Sequence, residues 1–183
     1  MALIVQDDTG QVADANSYID VAFFTSYHDD RGNDTSGLDQ TTQIEPALVL
    51  ATDYVDSKYL NDFIGSKIIT GAIRQTTQWP RLDAVDKDGF DVSEMIPDVL
   101  KQVIAEYAIN AINTSGGVSS LTDVSLDGRD RGIRRIKEKV DVIETDTEFH
   151  NFGKTSLTKD YPKPDMMIQT LLKFGSSGQI LRA

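Results

Sequence analysis

The chain has no cysteine, one tryptophan and two histidines in 183 residues. Without a thiol there is no disulfide scaffold, no zinc ribbon and no thiol nucleophile, and the composition suits a reducing compartment. No apolar run approaches the roughly 18 residues that a membrane span needs. The opening MALIVQDD has only a short apolar stretch with no basic flank, so it does not read as a signal peptide. A soluble intracellular product without membrane contact is expected.

Chemistry-bearing motifs are equally scarce. No nucleophile elbow, zinc-protease helix, phosphate-binding loop or dinucleotide fingerprint occurs. His28 and His150 stand alone in opposite halves of the chain, and a lone histidine is more often structural than catalytic. The acidic stretch DAVDKDGFDVSEM invites a calcium-loop reading. With Gly89 as the pivot, however, the first and twelfth ligand positions fall on Ala84 and Met95, which lack carboxylates. Asp86 and Asp88 therefore belong to a capped turn leading into a helix. No enzyme activity, cofactor or metal is expected.

What the chain has is acid. The formal net charge is −11. It divides into −7 over residues 1–43, −5 over 44–113 and +1 over 114–183. Within the last part, GRDRGIRRIKEK (128–139) carries six bases against two acids. Such a run can be a solvated, salt-bridged surface. Alternatively, Arg129, Arg131, Arg134, Arg135, Lys137 and Lys139 form an assembly interface that meets the acidic flank of another copy, since unlike charges steer association and set register.

Apolar spacing predicts a mainly α fold: a small bundle of about four helices, an extended β-type arm or hairpin, and a flexible C-terminal tail. Residues 1–113 form a helical core with an N-terminal arm, 114–160 an extended arm, and 161–183 a short helix and tail, all within a single domain. The first helix follows Asp20 as N-cap and stops near Gly32; a polar, turn-rich loop spans 32–42. Thr42 and Glu45 have capping-box spacing for the second helix, which buries Ile44, Ala47, Leu48, Ala51, Tyr54, Val55 and Tyr59. A long connection follows over 62–93. Pro97 lies in the first turn of the third helix, whose wide apolar face runs from Val99 to Ile112 before TSGG (114–117) ends it. Val140 and Val142 alternate with Asp141, a strand signal. Asp165, after Pro164, caps a last helix that stops at Gly175.

The most distinctive corner is Trp79, Pro80 and Arg81. A structural reading has the large ring sealing the edge of the core while proline stiffens the bend. A rival reading makes Trp79 and Arg81 a base-stacking platform for single-stranded nucleic acid. Charge opposes the rival: acids at positions 83, 86, 88 and 91 follow immediately, whereas affinity for phosphates comes from cations.

Read in order, several segments form a series: MALIVQDDTGQVADANSYIDV, DRGN, ALVLATDYVDSKYL, WPR, DKDGFDV, IPDVLKQVIAEYA, RRIKEKVDVIE and the terminal LRA. The series covers most of the chain. It resembles the head–tail connector (adaptor or head-completion) proteins of tailed bacteriophages, some of which are catalogued as DnaT-like single-stranded-DNA-binding proteins. The resemblance implies a structural virion protein located in the neck, with the host cytoplasm as the place of assembly. It implies a homo-oligomeric ring of dodecamer type beneath the portal protein, with a downstream neck or tail protein below. Double-stranded DNA would pass through the ring without specific binding. Gln179, Ile180, Leu181 and Arg182 would then serve as a docking tail, and Trp79, Pro80 and Arg81 as a structural corner. The alternative implied by the second label is a single-stranded-DNA-binding protein acting in phage replication.

Overall fold

The computed structural model describes residues 2–69, 74–112, 117–121, 135–140, 143–148 and 161–173. In chain order the elements are α1 (Val21–Asp29), α2 (Glu45–Lys58), β1 (Ser66–Lys67), β2 (Arg81–Leu82), α3 (Asp98–Ala111), β3 (Arg135–Val140), β4 (Ile143–Glu148) and α4 (Pro162–Met167). A π-helical turn, Gln40–Ile44, leads straight into α2, and a 3-10 turn, Ile168–Leu171, continues α4. The fold is mainly α, as the periodicity predicts, with a two-stranded β hairpin.

The organising element is α3. It buries Leu100, Val103, Ile104, Ala105, Tyr107, Ala108 and Ala111, which together cover most of its circumference, so it needs neighbours on several sides. α2 lies along it through Ala47, Leu48, Ala51 and Val55, while α1 and α4 cover other faces. Small residues at Ala47, Ala51, Ala105, Ala108 and Ala111 are fully buried, as close approach of helix backbones requires. Beyond α3, Ile112 bridges Val118 and returns Leu121 to the core, which Tyr161, Ile168, Leu171 and Leu172 complete from the C-terminal side.

Residues 2–19 are stitched down rather than loose. Val5 bridges Ser17 in parallel, the Gln6 N–H donates to the Ser17 carbonyl at 2.8 Å, and Asn16 Oδ1 accepts the Ile4 N–H at 2.8 Å. The Asp8 carboxylate reaches across to accept the Ile96 N–H at 2.8 Å, fixing the entrance to α3.

The helix ends follow the capping chemistry in part. Asp20 caps α1 by accepting the Phe23 N–H at 2.7 Å, as expected. The start of α2 differs from the expected Thr42–Glu45 box. Asp39 is the cap, accepting the Thr42 N–H at 2.7 Å, and Gln43 Oε1 reciprocates by accepting the Asp39 N–H at 2.7 Å. The reciprocal pair is four residues apart instead of three because the first turn is π-wound. The polar loop is correspondingly shorter, and Thr35 within it is buried. Pro97 precedes α3 as its N-cap residue. The last helix also corrects the prediction. Asp165 lies inside α4, which begins at Pro162; both Pro162 and Pro164 fit a first turn, where no intrahelical N–H is required. The expected stop at Gly175 lies outside the described residues, and the 3-10 turn ends at Leu171.

The expected β arm is a hairpin. β3 and β4 pair antiparallel from Arg135 opposite Glu148 to Val140 opposite Ile143. Asp141 and Val142, cited for strand alternation, lie outside the described residues. The long connection 62–93 contains a small sheet that periodicity could not reveal, two residues per strand, with Ser66 opposite Leu82 and Lys67 opposite Arg81.

Two substitutions separate capping from packing. Asp39→Ala should cost about 1 kcal/mol, and Leu48→Ala, at the fully buried α2–α3 contact, about 3 kcal/mol. Urea unfolding followed by circular dichroism measures both; equal losses would contradict the assignment of Asp39 as an exposed cap.

Candidate functional site

Among the described residues, three polar constellations and the β3–β4 hairpin remain once the apolar core is accounted for. The first is the Trp79 corner. Trp79 is 0% exposed and its ring meets Phe63 edge-on at 5.9 Å, with a cis peptide bond to Pro80. The Tyr18 hydroxyl accepts the Gln78 and Trp79 N–H groups at 2.9 and 3.0 Å and donates to Asp56 Oδ1 at 2.6 Å. Asp56 Oδ2 also accepts the Gln78 N–H, at 2.9 Å. Arg81 is only 6% exposed. Its Nε and Nη2 donate to the Ile64 and Gly65 carbonyls at 2.7 and 3.0 Å, and Nη1 to Gln78 O at 3.4 Å. Gly65 is required there: its φ is +67°, and a Cβ would lie 2.4 Å from the Leu82 carbonyl oxygen.

Trp79 and Arg81 are thus turned inward, and neither presents an exposed surface to a base. The ring has no free face, and the guanidinium is engaged by backbone oxygens. Next along the chain, Asp86 Oδ1 accepts the Asp88 and Phe90 N–H groups, both at 2.9 Å, which is a self-capped turn.

Asp56 is the unusual acid of this corner. Burial pushes its carboxyl up to about 6, against the opposing effect of the bonds from Tyr18 and Gln78. Sequence reading missed it because its partners are distant in the chain, and an acid beside the apolar stripe of a helix looks like a surface residue.

The second constellation converges on Asp165. Its Oδ1 accepts Lys58 Nζ at 2.5 Å, the Tyr59 hydroxyl at 2.7 Å and the Tyr107 hydroxyl. Burial pushes the Asp165 carboxyl up, but hydrogen bonds from Lys58, Tyr107 and Tyr59 outweigh it and hold the group below its ordinary value. The arrangement ties α4 to α2 and α3. Beside it lies a cleft of about 400 Å³ lined by Leu50, Asp53, Tyr54, Ser57, Lys58, Ser120 and Leu121. Its cation is already bound to Asp165 and its wall is mostly apolar with an acid, a poor host for phosphate.

The third constellation is Glu106, 5% exposed, which accepts the Tyr27 hydroxyl at 2.8 Å and Lys163 Nζ. Burial and the Glu106 carboxylate push the Tyr27 hydroxyl up to about 12. His28 packs beside it, fully buried, with Nε2 3.1 Å from the Ala105 carbonyl and Nδ1 3.1 Å from Asn33 Nδ2. Both of its ring nitrogens are thus engaged within the fold; His150 lies outside the described residues.

Of the six expected interface cations, Arg135, Lys137 and Lys139 stand on β3, whereas Arg129, Arg131 and Arg134 lie outside the described residues. The tail positions Gln179, Ile180, Leu181 and Arg182 lie outside them too. In the register of the hairpin, Arg135, Lys137 and Lys139 are the partners of Glu148, Asp146 and Glu144. Among the described residues, no cluster of His, Cys, Asp or Glu is arranged to hold a metal ion. Nor is any described helix long and apolar enough to cross a membrane.

A family model described as "Putative DnaT-like ssDNA binding protein" matches residues 1–183. The chain belongs to that family. No curated protein and no solved structure matches it. The family's description points to single-stranded DNA, yet the Trp79 corner of this member has no surface on which a base could stack.

Two outcomes test the polar clusters. A raised Asp56 carboxyl stabilises the fold fully below its unfolded value near 3.9, and that contribution is lost as pH rises through about 6. Between pH 4 and 7 the wild type should therefore lose about 2 kcal/mol relative to Asp56→Asn, which cannot ionise; parallel urea profiles would refute this. Asp165→Ala strands three donors and should cost about 2–4 kcal/mol, with α4 released first, as amide hydrogen exchange can resolve.

Proposed function

We propose that this protein works by assembly, as a head–tail connector that forms a ring under a phage portal and prolongs the DNA channel. The observation that carries this reading is the sealed corner. Of the most distinctive residues of the chain, Trp79 is fully buried and Arg81 is engaged by backbone carbonyls, so neither is presented to a ligand. The polar constellations likewise join segments of the chain to one another. Among the described residues this leaves surface shape and charge for function, and the ordered resemblance to connector proteins gives those a use.

Electrostatics supports the same use. Copies of charge −11 around a lumen present duplex DNA with like charge, so it can pass without adhering. The same charge makes the copies repel, so assembly needs local complementary contacts, with the portal above, a neck or tail protein below, and each other. A heterologous interface between copies closes into a ring when its rotation fits.

The family description favours a second reading, single-stranded-DNA binding in replication. In that case the contacts lie away from Trp79, on a surface that gathers cations.

The two readings separate in a pair of measurements on the full chain. Native mass spectrometry with purified portal rings should give a saturable complex with several copies per ring. A gel shift with oligo-dT at about 50 mM salt should show no complex up to about 100 µM protein, beyond the range of ordinary non-specific binding. A salt-sensitive oligonucleotide complex without portal capture would replace the connector by the DNA-binding reading.

A further inference from the structure

The register of the β3–β4 hairpin sorts its charges by strand. Arg135, Lys137 and Lys139 occupy alternate positions of β3, and Glu148, Asp146 and Glu144 occupy the positions across from them on β4. Positions two apart in a strand share a face, so one face of the hairpin is a row of three cations beside a row of three anions. The other face pairs Ile136 with Thr147, Glu138 with Thr145 and Val140 with Ile143. Its residues are mostly β-branched, the type that favours a pleated surface.

Among the described residues this is a two-stranded sheet, in which β3 and β4 pair only with each other. A lone hairpin is marginal in water, and open edges invite another strand. The charges decide which one. If two copies joined β3 to β3, or β4 to β4, rows of like charge would stand directly opposite, which is destabilising. If β3 of one copy takes β4 of the next, every cationic row lies between two anionic rows. Because β3 and β4 are antiparallel within a copy, copies related by simple rotation also bring β3 and the next β4 together antiparallel.

We propose that the β3–β4 hairpins of successive copies pair edge to edge, β3 against the neighbour's β4, as a continuous antiparallel sheet with alternating cationic and anionic strands. The occupant of each open edge is a second copy of this chain. The contact is head-to-tail, so it generates a closed ring or an open filament, never a two-fold dimer. It rests on the assembly reading above and names the surface by which copies meet. It also revises the role of the basic segment: Arg135, Lys137 and Lys139 match acids on their own β4 and, by the same register, acids on the neighbour's.

The test exploits a symmetry of the charges. A fully exchanged variant (Arg135→Glu, Lys137→Glu, Lys139→Glu with Glu144→Lys, Asp146→Lys, Glu148→Lys) keeps complementarity within a copy and between identical copies. Beside a wild-type copy it places like charges opposite one another. Wild type and isotopically labelled variant are each concentrated, mixed and read by native mass spectrometry, alone and on portal rings. Each should self-associate, while mixed neighbours should be depleted about tenfold or more relative to random mixing. A one-rung exchange, Lys139→Glu with Glu144→Lys, disturbs folding less and should deplete mixed neighbours about two- to threefold. Circular dichroism confirms that each variant is folded. Oligomers that mix at random overturn the strand pairing and leave the connector reading standing. A wild-type chain that is monomeric at millimolar concentration and absent from portal rings overturns both.

Discussion

The Tyr18 hydroxyl is the point on which the fold turns. It binds two successive backbone N–H groups at the Trp79 corner and gives its own proton to Asp56 of α2. Those bonds join the N-terminal arm, the second helix and the 62–93 connection, segments that share no regular secondary structure. A buried N–H without a partner is costly, so the corner is stable only where the hydroxyl stands. Once the corner is fixed, Arg81 reaches the carbonyls of Ile64 and Gly65, β1 meets β2, and the chain enters α3 at the place where Asp8 can cap Ile96.

A second set of polar locks closes the other side. Asp165 and Lys163 of α4 bind Lys58 and Tyr59 near the end of α2 and Tyr107 and Glu106 of α3. The last described element is thus held by charge-assisted bonds as well as by the burial of Ile168 and Leu171. Both sets of locks serve cohesion.

Helices α1, α2 and α3 were legible because a 3.6-residue apolar period is local information, and Asp20 advertised its cap by position alone. The hairpin was legible through its β-branched residues. The π-wound start of α2 was not, because Asp39 and Gln43 have a spacing that ordinary capping rules do not anticipate. Asp165 misled for a different reason: proline before an acid resembles a helix start, and nothing nearby in the chain reveals that Lys58, Tyr59 and Tyr107 will claim the carboxylate. Long-range polar partners of this kind leave no periodic trace. The basic run was visible as composition, but its meaning lay in the register, since only pairing shows which acid stands opposite which base.

One property of the corner reaches beyond architecture. The protein has a single indole, and it is enclosed by Phe63 and the core with no exposed surface. Its ultraviolet emission is therefore a built-in gauge of core integrity, blue in the folded chain and red once water enters. Contacts made at the outer surface of the molecule leave that signal unchanged, so the chain carries a natural optical means of telling docking apart from unfolding.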